Sequence, residues 1–371
     1  MSVNRTYSQR PMMFYWEMTR ACDLACRHCR AEAISRGDPN ELSFAEGKHL
    51  LEAISAFGEP RPHVVLTGGD PLRRPDVYAL IAHARQLGLV VSVTPSGTPS
   101  CTRDAVSRLR DCGASSAAFS LDGSSPSRHD RIRGVAGSFA YTVDAIRWAL
   151  EVGLGVQINT LVSAETAPDL EAIYRLVREL GVPRWALFFL IQVGRGAVLN
   201  EVSPDVGEEI LTWLYACSQQ PGPVIKTTEA HHFRRIAVQQ HTADGLVQSQ
   251  VASIRQSWNI RDGAGIMFVS HVGEIYPAGF LPIRAGNVRV DDPVQVYRES
   301  PLFQQLRDPD QFKGKCGECE FRAICGGSRA RAFAATGDPL ESDPLCPYQP
   351  EVALRVGSGV LSKTKTTEVL H

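Results

Sequence analysis

From Met13 to about Val193, short apolar runs alternate with amphipathic stretches, the rhythm of repeated βα units that build a parallel sheet. Six runs read as strands: Phe14–Met18, His63–Leu66, Val90–Thr94, Ala117–Leu121, Gly155–Leu161 and Trp185–Ile191. Between them, Phe44–Ala56, Asp76–Leu87, Thr102–Cys112, Phe139–Val152 and Leu170–Leu180 carry apolar residues at helical spacing. Gly88, Gly113, Gly153 and Gly181 then fall where helix stop signals belong. Six units are too few for an eight-stranded barrel. The pattern therefore predicts an α/β fold, a partial (β/α)6 TIM-type barrel with its reactive groups at the C-terminal ends of the strands.

After Val193 the rhythm breaks down. Residues from about 200 to 255 look helical and polar, and Ile266–Tyr276 reads as a β-hairpin with Gly273 near its turn. Gly314–Pro350 is rich in Cys, Gly and Pro, which suits a lobe held together by a metal rather than by a core. The expected division is a barrel over 13–200, a helical connection over 201–265, a cysteine-rich lobe over 266–350 and a disordered tail over 351–371.

Charge narrows the partners. With 39 basic and 40 acidic residues among 371, the chain has no field that would point to nucleic acid or a membrane. The N-terminus has no apolar signal core, and no apolar run reaches the roughly 18 residues of a membrane span, so a cytoplasmic protein is expected. In a reducing compartment the ten cysteines are ligands or buried thiols rather than disulfides. Cys101, Cys112 and Cys217 are scattered and read as small buried hydrophobes. The other seven fall in two groups.

The first group, Cys22-x3-Cys26-x2-Cys29, directly follows the first strand, where three thiolates can converge on one metal centre. Structural zinc wants four ligands in paired motifs, and only His28 offers itself as a fourth. A cubane iron–sulfur cluster with three cysteines leaves one iron open for a further ligand. This spacing resembles the radical S-adenosylmethionine (SAM) superfamily signature C-x3-C-x-Φ-C, with His28 at the usually aromatic position. In that family the open iron of a [4Fe-4S] cluster chelates SAM, whose reductive cleavage yields the 5′-deoxyadenosyl radical. The cofactor carries the difficult chemistry, and the protein orients it and excludes water.

Other segments match the family at the expected strand ends. Gly68-Gly69-Asp70-Pro71 looks like its GGEP motif, whose backbone meets the SAM amino group. Ser96, Ser120, Asp122 and Asn159 resemble the polar residues that hold SAM, with Ser120 on the ribose and Arg133 on the carboxylate. Val193-Gly194-Arg195-Gly196 sits where the family packs backbone on adenine.

The second group is Cys316-x2-Cys319-x5-Cys325 followed by Cys346, a closed set of four thiolates that suits zinc as well as a cluster. Its context, Cys325-Gly-Gly-Ser-Arg-Ala-Arg-Ala and onward to Cys346-Pro-Tyr, resembles the SPASM lobe. The full SPASM pattern has seven cysteines for two auxiliary clusters. Here no cysteine precedes Gly273 nearby, and Ala278 and Arg329 stand at two further cysteine positions. All three absences belong to one auxiliary cluster. The resemblance thus implies the abbreviated twitch arrangement, with one fully thiolate-ligated [4Fe-4S] cluster that relays electrons.

Within the superfamily the likeness is greatest to the haem-branch proteins, the coprohaem decarboxylase and the haem d enzymes, with pyrroloquinoline quinone synthesis also in view. It rests on the CGGSRARA run, on Leu281–Val288 and on Val193–Gly196. It implies hydrogen abstraction in tetrapyrrole synthesis, such as oxidative decarboxylation of propionates, with a donor such as flavodoxin or ferredoxin. The competing class is a peptide maturase, against which the start of the first strand near residue 14 weighs mildly; a non-enzymatic iron–sulfur electron carrier leaves the strand-end residues unexplained. The run Thr227–Arg235 reads either as a solvated basic helix start or as a substrate contact through His232 or Arg234.

Overall fold

The computed structural model describes residues 5–243 and 260–350; the tail expected at 351–371 lies outside the described residues. Its strands are β1 (Met13–Thr19), β2 (His63–Gly68), β3 (Val91–Val93), β4 (Ser116–Ser120), β5 (Gly155–Val162), β6 (Arg184–Phe189), β7 (Val224–Thr228), β8 (Ile266–Val269), β9 (Glu274–Tyr276) and β10 (Gly286–Asn287). They form one sheet in the order β10-β9-β8-β1-β2-β3-β4-β5-β6-β7. β1 to β7 run parallel, and β8 joins in parallel on the other side of β1.

Side chains alternate across each strand, and the two faces have different characters. One face packs under the helices: Phe14, Trp16, Met18, Val64, Leu66, Phe119, Val156, Ile158, Trp185 and Leu187 are fully buried there. Gly47 of the helix Phe44–Ser55 admits the Trp16 ring, because a Cβ at that position would lie 2.6 Å from it. The opposite face carries Tyr15, Glu17, Ser92, Ser116, Ser120, Gln157, Asn159 and Lys226. A closed eight-stranded barrel fills its interior with branched aliphatic side chains. Here polar side chains take many of those inner positions instead.

The predicted strands and helices stand within a few residues of their expected ends. Gly88, Gly113, Gly153 and Gly181 all adopt positive φ at helix ends. Ser43 and Glu46 form a reciprocal cap at the start of the first barrel helix. The expected hairpin is β8–β9, with Gly273 at φ +85°.

The region expected to be helical differs. Between the helices Pro204–Ser218 and Phe233–Ala243 lies a seventh parallel strand, β7, paired with β6. Its sequence Val-Ile-Lys-Thr-Thr buries only Ile225 fully, so no apolar run announces it. Docking on β6 decides its conformation. The sheet also runs without a break through the division expected at residue 266, because β8 pairs with β1. All ten cysteines are free, with Cys101 and Cys217 in the core and Cys112 packed against it. Among the described residues, no helix is long and apolar enough to cross a membrane.

Candidate active site

The loop after β1 gathers Cys22, Cys26 and Cys29 in one packed cluster with Leu24, Ala33 and Val135. Burial pushes the Cys22 and Cys26 thiols up, which disfavours free thiolates. Several donors oppose this. The Leu24 N–H lies 3.4 Å from Cys22 Sγ, the Ala33 N–H 3.4 Å from Cys29 Sγ, and Arg133 Nη1 3.6 Å from Cys26 Sγ. Donors aimed at sulfur support a metal-bound thiolate. His28 does not complete a zinc set, because among the described residues its ring nitrogens and the three thiols do not converge to within 4.8 Å of one another; its Nε2 faces Asp122 Oδ2 at 3.9 Å. Three soft donors without a fourth fit a cluster that keeps one iron open.

The glycine loop after β2 lies on this cysteine loop. The Gly69 N–H donates to the Thr19 carbonyl at 2.8 Å, and the Asp70 N–H donates to the Ala21 carbonyl at 2.7 Å. A Cβ on Gly68 would come within 2.3 Å of Thr19 O, and one on Gly69 within 2.3 Å of Ala21 O. Only glycine permits that approach. The Asp70 carboxylate links its own turn to the loop after β3, accepting from the Leu72 N–H (3.1 Å), the Ser96 N–H (3.3 Å) and the Thr98 hydroxyl (3.3 Å). Burial pushes its pKa up to about 6. Asp70 thus positions Ser96, whose Oγ lies 3.2 Å from Gly69 O and 3.5 Å from Cys22 Sγ, and Pro71 begins the short turn that follows.

Ser120 ends β4, and its cross-strand neighbour Asn159 lies within β5 rather than at its end, where Asn159 Oδ1 accepts from Gln157 Nε2 at 2.8 Å. Arg133, expected on a SAM carboxylate, forms a buried ion pair of 2.5 Å with Asp122. Asp122 in turn accepts from the Leu161 N–H at 2.7 Å. Burial alone would raise the Asp122 pKa, yet Arg133 and His28 hold it below the usual carboxylate range. After β6, Gly194 takes φ +54° against the Arg30 carbonyl, and the Arg195 N–H donates to Cys29 O at 3.1 Å. The cysteine loop is therefore held from β2, β4 and β6 at once.

In the C-terminal lobe, Cys316, Cys319, Cys325 and Cys346 line one pocket with Arg235, Lys315 and Arg322. The Gly327 N–H lies 3.5 Å from Cys325 Sγ and the Asp343 N–H 3.4 Å from Cys316 Sγ. These four thiols can hold a cubane cluster or zinc. The adjoining CGGSRARA run ties the lobe to the barrel. Arg331 bonds Glu201 (2.7 Å), the Glu229 carbonyl (2.6 Å), the Leu190 carbonyl (3.0 Å) and Asp343 (3.4 Å).

Where the longer SPASM pattern has its missing cysteines, polar side chains meet. The Arg329 and Ala330 N–H groups both donate to Asp262 at 3.0 Å, and the Gly263 N–H donates to the Pro277 carbonyl beside Ala278. The donor atoms of Glu229, His231 and Asp262 lie within 4.8 Å of one another there. The arginines 234, 261 and 329 bear on His231 electrostatically. This convergence joins segments distant in sequence, and no local motif announces it.

The segment around His232 is not a solvated helix start. His232 is fully buried and both of its ring nitrogens lack a hydrogen bond. Burial, opposed in part by Asp343, pushes its pKa down to about 3. Arg234 donates to the carbonyls of Ile324 and Ile260, so its guanidinium binds the lobe.

A family model described as the radical SAM superfamily matches residues 16–177. The AdoMet-dependent heme synthase of Oleidesulfovibrio alaskensis is 38% identical over 90% of this chain and 87% of its own length. The chain belongs to the radical SAM superfamily. The AdoMet-dependent heme synthase of Methanosarcina barkeri is similar at 37% identity, covering 92% of this chain and 97% of that one. A mycofactocin maturase, MftC of Mycobacterium ulcerans, is 30% identical over 91% of this chain and 88% of its own. Among solved structures, SuiB of Streptococcus suis bound to S-adenosylmethionine superposes with a TM-score of 0.71 at 18% identity, over 92% of this chain and 78% of that one. That likeness extends the shared fold beyond the barrel. The radical SAM fold binds SAM and a [4Fe-4S] cluster, and this chain is a radical SAM enzyme.

Proposed function

We propose that this enzyme acts in the cytoplasm on an iron tetrapyrrole and oxidatively decarboxylates its propionate side chains to vinyl groups. The observation that carries this reading is the similarity, at 36–38% identity over nearly the whole chain, to three AdoMet-dependent heme synthases. Cys22, Cys26 and Cys29 hold the cluster. When bound, the cluster and SAM would supply the electron and the 5′-deoxyadenosyl radical that removes one hydrogen from the propionate. Loss of carbon dioxide then leaves the vinyl group and releases one electron, which balances the one consumed in cleaving SAM. The chain itself orients the cofactor. Gly68 and Gly69 bring backbone to it, Ser120 at the end of β4 and its neighbour Asn159 on β5 face it, and Asp122 fixes Arg133 beside Cys26. Cys316, Cys319, Cys325 and Cys346 hold a second [4Fe-4S] cluster, and a flavodoxin or ferredoxin serves as reductant.

The test is anaerobic turnover of iron coproporphyrin III with SAM and dithionite. Vinyl products, carbon dioxide, methionine and 5′-deoxyadenosine are expected, and Cys26→Ala abolishes all of them. A second reading, maturation of a peptide, is favoured by the similarity to the mycofactocin maturase. An enzyme that cleaves SAM with dithionite yet leaves the iron porphyrin unchanged under these conditions would refute the tetrapyrrole reading and favour the second.

A further inference from the structure

Three side chains from separate segments converge between the last strand of the barrel and the cysteine-rich lobe. Glu229 directly follows β7, His231 comes shortly after it, and Asp262 stands in the segment that leads into β8. They are 4%, 5% and 1% exposed, and one ligand atom from each lies within 4.8 Å of the other two.

One oxygen of each carboxylate is already fixed. The Ser328 hydroxyl donates to Glu229 Oε2, and the Arg329 and Ala330 N–H groups donate to Asp262 Oδ2 at 3.0 Å. Among the described residues, the other oxygens, Glu229 Oε1 and Asp262 Oδ1, take no hydrogen bond, and neither carboxylate forms an ion pair. The arginines nearby are turned to other acceptors. Arg234 donates to the Ile324 and Ile260 carbonyls, Arg261 to that of Arg307, and Arg329 to those of Pro339 and Glu341, while Arg331 pairs with Glu201 and Asp343. Two buried carboxylates this close repel each other and are costly to ionise unless a cation joins them.

The imidazole is an independent sign of the same thing. Both ring nitrogens of the buried His231 lack a hydrogen-bond partner among the described residues. A buried polar group left unsatisfied costs about 1–3 kcal/mol, so a ring that stands beside two carboxylates and bonds neither calls for a group between them. The backbone is bent to this arrangement: Glu229 has φ +59°, and among the described residues only Glu32 shares the left-handed region without being glycine. Such a conformation persists where its surroundings over-determine it. Two carboxylates and one imidazole are a donor set for a divalent ion; carboxylate oxygens suit Mn²⁺, and imidazole suits the later transition ions. Metal bonds of about 2.0–2.2 Å put neighbouring donors about 3–3.5 Å apart, so the three side chains close by about 1 Å on the ion.

We propose that Glu229, His231 and Asp262 bind one divalent metal ion of the Mn²⁺ class, which fastens the end of β7 to the segment before β8 and to the start of the helix Arg329–Thr336. The site uses none of the seven clustered cysteines, and it stands independently of the tetrapyrrole reading.

The experiment titrates the anaerobically reconstituted holoenzyme with manganese(II) chloride and follows the room-temperature EPR signal of free Mn²⁺. The cysteines do not compete, because thiolates select softer metals. The wild type takes up one equivalent of Mn²⁺ that folded Glu229→Gln and His231→Leu do not. Losing even an outer-shell partner costs a metal site about 10–100-fold, so each variant binds at least about tenfold more weakly. Electron spin-echo modulation of the bound ion shows the nitrogen of one coordinated imidazole, which His231→Leu removes. Excess Mn²⁺ raises the thermal unfolding midpoint of the wild type and leaves both variants where they were. Iron content reports whether each variant is folded. If neither variant loads iron, the wild-type modulation decides alone. A wild type that binds no more Mn²⁺ than the folded variants, bound Mn²⁺ with no coupled nitrogen, or a midpoint that Mn²⁺ moves equally in all three overturns the metal site, and leaves a water or a shared proton between the carboxylates.

Discussion

Replacing Gly69 by alanine tests whether the glycine loop is built to lie on the cysteine loop. The new Cβ would stand 2.3 Å from the Ala21 carbonyl oxygen and 2.7 Å from that of Arg20, two backbone atoms that no side-chain rotation can remove. An ordinary carbon–oxygen contact is about 3.3 Å, so the loop has to withdraw by about 1 Å. Withdrawal stretches two bonds, Gly69 N–H to Thr19 O at 2.8 Å and Asp70 N–H to Ala21 O at 2.7 Å. Each buried backbone bond left unsatisfied costs about 1–3 kcal/mol, so a loss of about 2–6 kcal/mol is expected. Urea unfolding of the cluster-free protein measures it. Gly153→Ala is the control. Gly153 has φ +74° but nothing within 4 Å of its Cβ position, so this substitution costs only conformational strain of about 1–2 kcal/mol. SAM affinity of the reconstituted enzyme should fall at least tenfold in Gly69→Ala and hold in Gly153→Ala. Equal unfolding midpoints and equal SAM affinities in the two variants would refute the packing account.

Glu17 offers a test by pH. Burial alone would raise its pKa, but Arg30 and His271 pull it down to about 2 from 4.5. A depressed carboxylate contributes stability above its unfolded pKa and loses it as pH falls through the folded value. Glu17→Gln should therefore cost about 3 kcal/mol at pH 7, with the difference shrinking between pH 5 and pH 3; urea midpoints that stay equally far apart across this range would contradict it. The cysteine groups predict iron content. Triple replacement of Cys22, Cys26 and Cys29 by alanine should leave about half of the iron, and stoichiometric zinc in the C-terminal lobe would rule out the second cluster.

What could be seen in the chain before it was folded follows one physical rule. The three-cysteine loop and the Gly68–Pro71 turn are contiguous, and their chemistry depends on spacing and on residue type alone. The alternation that makes strands β1 to β6 and the helices between them is likewise local, because burial repeats with the period of each element. Strand β7 lacks that local signal, since its own side chains are half exposed and only the edge of β6 makes it a strand. The pairing of Arg133 with Asp122 and the holding of Glu17 by Arg30 and His271 bring together charges from separate elements. So does the meeting of Glu229, His231 and Asp262 near the positions of the missing cysteines. Sequence by itself determined the fold family, the donor atoms and the strand ends that carry them. Tertiary structure alone decided which charge neutralises which, because electrostatic energy depends on distance and burial through space rather than on order along the chain.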